Sequence, residues 1–163
     1  MLDHVPPTIE RYELSHHVLD DTWEMLAEPG RDRVEAVVLW LGCVPEDTRG
    51  EVLAAIRPEQ VAYRSPDGLA VEVPQEVLTQ LVATLPEGIH VLVRVHSHPT
   101  DAYHSTTDDR NMIIGHVGAV SIVVPRFATG TVDLRTCSVN ILGRDGRWRE
   151  LTQDEIDATF DVR

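Results

Sequence analysis

Residues 89–99 read IHVLVRVHSHP, an apolar stretch rich in valine that ends in two histidines and a proline. Its length and composition predict a central, buried strand, and Pro99 ends that strand because proline cannot donate a hydrogen bond to a sheet. Side chains at positions i and i+2 of a strand point to the same face. We therefore expect His96 and His98 to present two imidazoles on one face at the strand's end.

The segments before this strand predict both helices and strands. Residues 34–42, VEAVVLWLG, read as a second buried strand with one carboxylate, Glu35, near its start. Residues 74–85 have apolar side chains at helical spacing and are followed by helix-stopping Pro86 and Gly88. The other elements predicted here are a helix over 15–27 with Gly30 just beyond its end, a strand over 52–56, and a hairpin joining 61–63 to 69–73.

The segments after Pro99 continue this mixed pattern. A polar loop leads to Ser105, a good N-cap for a short helix reaching Gly115. Residues 119–124 predict another buried strand. Sheet-edge segments are expected over 131–140 and 148–151, and a short helix over 152–160. The sequence thus predicts a single α/β (α+β) domain over 1–163, with its core at about 12–151.

The charge balance argues against a polyanionic partner. The chain has 27 acidic and 14 basic residues, a formal net charge of −13, which disfavours nucleic acid and anionic lipid. No segment resembles a signal peptide or a membrane span, so a cytoplasmic protein is expected. Cys43 and Cys137 are far apart in sequence and predict reduced core thiols rather than a disulfide or a thiolate metal site.

His96 and His98, taken together with nearby carboxylates, predict a specific kind of site. Two imidazoles and one carboxylate, from Asp108 or Asp109 beyond the loop, form a common ligand set for catalytic zinc. Zinc lowers the pKa of a bound water to roughly 7 and so makes a nucleophile available at neutral pH. A proton acceptor that is not itself a ligand is also needed. Glu35, a carboxylate in an apolar strand, is the candidate general base.

The order Glu35, then His96-Ser97-His98-Pro99, then Ser105-Thr106-Thr107-Asp108 resembles the JAMM motif of JAB/MPN-domain zinc metalloproteases. The resemblance implies one JAB/MPN-like domain, a curved mixed β-sheet flanked by helices. It also implies zinc bound by His96, His98 and Asp108, with Glu35 as the base and Ser105 stabilising the oxyanion. The chain has one residue fewer between the second histidine and Ser105 than most members have. Strict counting would select Thr106 and Asp109 instead, so Asp109 remains the alternative ligand.

Members with the full motif cleave peptide or isopeptide bonds after the C-terminus of ubiquitin or ubiquitin-like proteins. The resemblance therefore implies a metallo-isopeptidase, of the bacterial type that accompanies E1-like and E2-like enzymes, in a conjugation pathway that could serve antiviral defence. Two alternatives remain open: a peptidase that processes a sulfur-carrier precursor, and a non-catalytic MPN-type scaffold. All 14 basic residues are arginine. The absence of lysine fits an enzyme that avoids becoming conjugated itself, and it equally fits codon bias.

Overall fold

The computed structural model describes residues 6–46, 48–66, 68–103 and 113–163. In chain order, the helices and strands of these residues are β1 (Ile9–Leu14), α1 (His16–Gly30), β2 (Val37–Glu46), β3 (Thr48–Ile56), β4 (Val61–Ser65), β5 (Gly68–Glu72), α2 (Gln75–Thr84), β6 (His90–Ser97), β7 (Val120–Val124), β8 (Ser138–Leu142), β9 (Trp148–Glu150), α3 (Gln153–Thr159) and β10 (Phe160–Val162).

Eight of these strands form one mixed sheet. Their spatial order is β10-β1-β3-β2-β6-β7-β8-β9, while β4 and β5 pair separately as an antiparallel hairpin. The pairs β10/β1, β1/β3 and β6/β7 are parallel, and the remaining neighbours are antiparallel. The strand that ends in the two histidines, β6, lies near the middle of the sheet. This arrangement confirms the predicted mixed α/β domain.

One hydrogen bond shows how strongly the sheet curls. The Tyr12 hydroxyl, on β1, donates to the carbonyl of Gly118, just before β7, at 2.6 Å. Three strands lie between β1 and β7, so a flat sheet would hold them roughly 19 Å apart. Gly118 has φ +86°, and a side chain there would collide with the Ile9 carbonyl. The sheet is therefore curved, as the resemblance implied.

The two faces of the sheet bury separate apolar clusters. On one face, α1 packs Val18 and Leu26 into the larger cluster, which also contains Trp40 of β2. The Trp40 indole N–H donates to the Thr22 hydroxyl of α1 at 2.8 Å, so this buried polar group is satisfied. On the other face, α2 and the end of β5 cover the alternate side chains of β2. That cluster contains Val37, Leu39, Val71 and Val73, with Val77, Leu78 and Leu81 of α2 against it.

Several element boundaries differ from those predicted. Strands β1 and β10 were not predicted, and β2 begins at Val37, two residues after Glu35. The segment 131–140 is not one strand, because residues 134–136 form a 3-10 turn capped by the Asp133 side chain. Gly30 is the last residue of α1 rather than a residue beyond it. Of the helix predicted from Ser105 to Gly115, residues 105–112 lie outside the described residues, and 113–115 are not helical.

Both cysteine thiols are free, and burial raises the pKa of Cys137 to about 12. Cys137 is buried as predicted, while Cys43 is half-buried. In the part of the chain that the structure describes, no helix is long and apolar enough to cross a membrane.

Candidate metal centre

The two histidines converge at the end of β6. Their Nε2 atoms are 3.2 Å apart and their ring centroids 4.9 Å apart. His96 is 2 % exposed and His98 is 7 % exposed. Beyond the strand, the His98 N–H donates to the Val124 carbonyl at 2.8 Å, and the His98 carbonyl accepts from Phe127 N–H at 2.7 Å. Main-chain bonds on both sides of His98 therefore hold the pair in place.

The spacing of the two Nε2 atoms fits a shared metal ion. Zinc–nitrogen bonds of roughly 2.0–2.1 Å in a tetrahedral site place two ligand atoms about 3.3 Å apart. The observed separation of 3.2 Å agrees with that value. Neutral imidazoles are also suitable donors for zinc. The residues present therefore fit a zinc ion held by His96 and His98.

The register of the central strands places Glu35 beside this pair. Val37 of β2 lies opposite His96 of β6, and Ala36 bonds Ser97. Continuing the same antiparallel register puts Glu35 opposite His98, and directly opposed residues share a face of the sheet. Glu35 is 7 % exposed. The register of β2 and β6 therefore indicates that the predicted base lies at the same end of the sheet as the two predicted ligands.

Ser97, between the two histidines, fixes the strand that leads to Glu35. Its N–H donates to the Ala36 carbonyl at 3.0 Å, and its hydroxyl oxygen accepts from Ala36 N–H at 3.0 Å. Both bonds are buried, and Ser97 is 0 % exposed. This role of Ser97 was not predicted from the sequence.

The remaining predicted site residues, Ser105, Asp108 and Asp109, lie outside the described residues. Within the described residues, no group of three His, Cys, Asp or Glu side chains is placed to hold one metal ion. The choice between Asp108 and Asp109 therefore stays a prediction. Tyr103, the last described residue before these positions, lies next to the two histidines. Its ring contacts the His98 ring edge-on, with centroids 4.8 Å apart.

A row of buried polar residues, not predicted from the sequence, crosses the sheet next to the histidines. Arg94 lies two residues before His96 on the same face and is buried. Ser121 of β7 is opposite Arg94, and Asn140 of β8 is opposite Ser121; both are buried as well. Buried charges are retained only with compensating partners. The lone arginine within the apolar stretch 89–98 was a readable signal for such an arrangement.

One cavity formed by the described residues lies away from Glu35 and the two histidines. Its volume is about 570 Å³, and it is found near the start of β1 and the turn between β8 and β9. Ile9, Leu142 and Arg147 are among its lining residues, and neither Glu35 nor the two histidines are. The strand ends that surround it are opposite to the end of β6 where the histidines lie. The cavity is therefore separate from the candidate metal centre.

His116 should make the folded state sensitive to acid. Burial, followed by the nearby charge of His90, lowers its pKa to about 4. An unfolded chain binds a proton at this histidine below about pH 6.5, whereas the folded chain does not. Stability should therefore fall as the pH drops from about 6.5 to 4, by about 2–3 kcal/mol from this residue. Urea unfolding of zinc-free protein at several pH values measures this loss of the unfolding free energy.

Replacing His116 by glutamine should remove that part of the acid dependence. The exposed residue His17 of α1 provides the matched control, because His17→Gln makes the same change of side chain outside the buried core. Wild type and His116→Gln with parallel profiles between pH 6.5 and 4 would contradict the expectation.

Comparison with known proteins places this arrangement in a family. Residues 29–137, which include Glu35, His96 and His98, match the model of the prokaryotic homologs of the JAB domain. A protein of Sinorhizobium fredii (strain NBRC 101917 / NGR234) named "Probable metalloprotease y4jG" is 35% identical over 127 residues, covering 77% of this chain and 78% of that protein. The solution structure of a protein from Salinibacter ruber (strain DSM 13855) shares the fold, with TM-score 0.57, 20% identity, and coverage of 86% and 88% of the two chains. The chain therefore belongs to the family of prokaryotic homologs of the JAB domain.

Proposed function

We propose that this chain is a zinc-dependent peptidase that cleaves the peptide or isopeptide bond after the C-terminus of a ubiquitin-like protein. The proposal rests above all on the convergence of the His96 and His98 Nε2 atoms at 3.2 Å, with Glu35 buried two residues before the start of the neighbouring strand β2. Membership of the JAB family and the similarity to a protein named as a probable metalloprotease support peptidase chemistry. Of the motif side chains that the structure describes, Glu35, His96 and His98 are all buried, and the two histidines contact each other.

The proposed mechanism assigns one task to each residue. His96, His98 and one of Asp108 or Asp109 would hold the zinc ion. When bound, zinc would act as a Lewis acid that polarises the scissile carbonyl and lowers the pKa of the attacking water. Glu35 accepts a proton from the attacking water and later donates it to the leaving amine. Ser105 donates a hydrogen bond to the oxyanion that forms in the tetrahedral transition state.

The substrate class follows from the resemblance and from charge. The net charge of −13 favours a substrate with a basic face over a polyanion. In a bacterial ubiquitin-like pathway, E1-like and E2-like enzymes would form the conjugates that this peptidase removes, in the cytoplasm. Processing of a sulfur-carrier precursor uses the same chemistry on a linear peptide bond. A non-catalytic scaffold would have no need to retain Glu35 together with both histidines.

Cleavage assays on defined fusions test the proposal. We would incubate the zinc-loaded protein with ubiquitin-like domains that end in Gly-Gly, joined either to a linear peptide or through an isopeptide bond to lysine, and with a sulfur-carrier precursor. Cleavage directly after the Gly-Gly is expected, as measured by intact mass. Cleavage of the precursor alone would select the sulfur-carrier alternative. A protein that binds zinc and cleaves none of these substrates would overturn the proposed substrate class.

A further inference from the structure

The side chain of Gln60 bonds the main chain of Val37 in both directions. Val37 N–H donates to Gln60 Oε1 at 2.7 Å, and Gln60 Nε2 donates back to the Val37 carbonyl at 2.9 Å. The same Nε2 also donates to the Pro58 carbonyl at 2.8 Å. A primary amide has the donor and the acceptor of a peptide group, so Gln60 can replace a neighbouring strand residue.

Gln60 does so where β3 stops pairing with β2. Among the described residues, the last pair between these strands in the direction of Glu35 is Leu39 with Ile56. Val37, two residues closer to Glu35, has His96 of β6 on one side. On its other side the Gln60 amide takes up the N–H and the carbonyl. Towards Glu35, Val37 is the next residue of β2 after Leu39 whose N–H and carbonyl face the β3 side. Gln60 therefore continues the hydrogen bonding on that side of β2 beyond the end of β3.

The two residues after Glu35 are thus held from opposite sides. Ala36 is bonded in both directions to Ser97 of β6, and Val37 is bonded in both directions to Gln60. Sliding or tilting this segment would break at least one of these pairs. The Glu35 carboxylate oxygen must stay within about 2.6–3.2 Å of the oxygen or nitrogen atom whose proton it transfers, so its main chain has little freedom to move.

We propose that Gln60 is a positioning residue for the reaction, because it holds the segment that places Glu35 next to the histidines. This inference rests on the proposed function. A mutation far from the reacting atoms that displaces a catalytic group by about 1 Å can lower a rate by roughly a hundredfold. Removing the Gln60 bonds should therefore lower kcat by roughly ten- to a hundred-fold and leave KM unchanged, since Gln60 is not assigned to substrate binding.

Two replacements separate the hydrogen bonds from the bulk of the side chain. Gln60→Met keeps similar volume without the polar atoms, and Gln60→Ala removes both. Gln153 provides a matched control, because its Nε2 also donates to a main-chain carbonyl, that of Arg135 at 3.1 Å, but at an exposed position at the start of α3. For each variant and for Gln153→Met we would measure kcat, KM, zinc content and the hydrogen exchange of the Val37 amide by NMR.

The expected result is specific to Gln60. Gln60→Met and Gln60→Ala should both lower kcat at unchanged KM and zinc content, and Val37 N–H should exchange about tenfold faster or more. Gln153→Met should match the wild type. A methionine variant with wild-type kcat, while alanine loses activity, would assign the effect to packing and overturn the inference. A loss of kcat that only follows a loss of folded or zinc-binding protein would overturn it too.

The two proposals can fail separately. An active wild type with unchanged kcat in Gln60→Met would overturn only the role of Gln60. A wild type that cleaves no fusion would overturn the proposed function. The exchange of the Val37 amide would then still test the holding bonds, because unchanged protection in Gln60→Met overturns them and lost protection supports them.

Discussion

Replacing Glu35 by glutamine is expected to lower kcat on a cleavable ubiquitin-like fusion by roughly 10²–10⁴-fold, the usual contribution of a general acid–base group. Glutamine has nearly the shape of glutamate, so the packing of this buried position should be preserved. The amide cannot accept the proton of the attacking water or return one to the leaving amine. Because Glu35 is not assigned to the metal, zinc content should stay at the wild-type value.

The measurement combines steady-state kinetics with zinc analysis of the same samples. Glu87, an exposed glutamate in the turn before β6, provides the matched control, and Glu87→Gln should retain full activity. Equal rates for wild type and Glu35→Gln would refute the assignment of Glu35 as the base. Loss of zinc together with activity would instead assign Glu35 to the metal, which the register-based placement opposite His98 does not predict.

The sequence contains enough information to predict the central part of the fold and the shared face of His96 and His98. The buried strand over residues 89–98 is confirmed as β6, and the helix over 74–85 and the hairpin after Gln60 are confirmed as well. These elements have strong local periodicity or turn residues. The same-face placement of His96 and His98 follows from the alternation of a strand. Alternation alone does not give the distance between their Nε2 atoms, which is 3.2 Å in the structure.

The parts that were missed depend on distant pairing. Strand β1 is short and follows two prolines, and its partners are β3 and the three-residue β10 at the other end of the chain. A local pattern cannot report a parallel pairing with residues so far away in sequence. The roles of Ser97 and Gln60 also depend on pairing between residues that are distant in sequence. Each bonds the main chain beside Glu35 only because of the strand register, which no spacing in the sequence encodes.

Removing either histidine should abolish both metal binding and activity. His98→Ala and His96→Ala each delete one of two converging nitrogen ligands, so zinc should fall from about one ion per chain to near zero after gel filtration. Activity should drop roughly a thousandfold or more, because zinc activates the attacking water. His98 lies just beyond β6, whereas His96 is fully inside it, so His98→Ala should disturb the core less.

Thermal unfolding gives a readout that needs no substrate. A ligand at a thousandfold above its dissociation constant stabilises a folded protein by about 4 kcal/mol, or roughly 10 °C in Tm for a domain of this size. Zinc should therefore raise the Tm of the wild type and of the control His17→Ala, which removes an exposed imidazole on α1. It should leave the Tm of His98→Ala nearly unchanged. If His98→Ala retained both the zinc ion and the shift in Tm, the metal would be bound by other residues, and the assignment of His96 and His98 would be wrong.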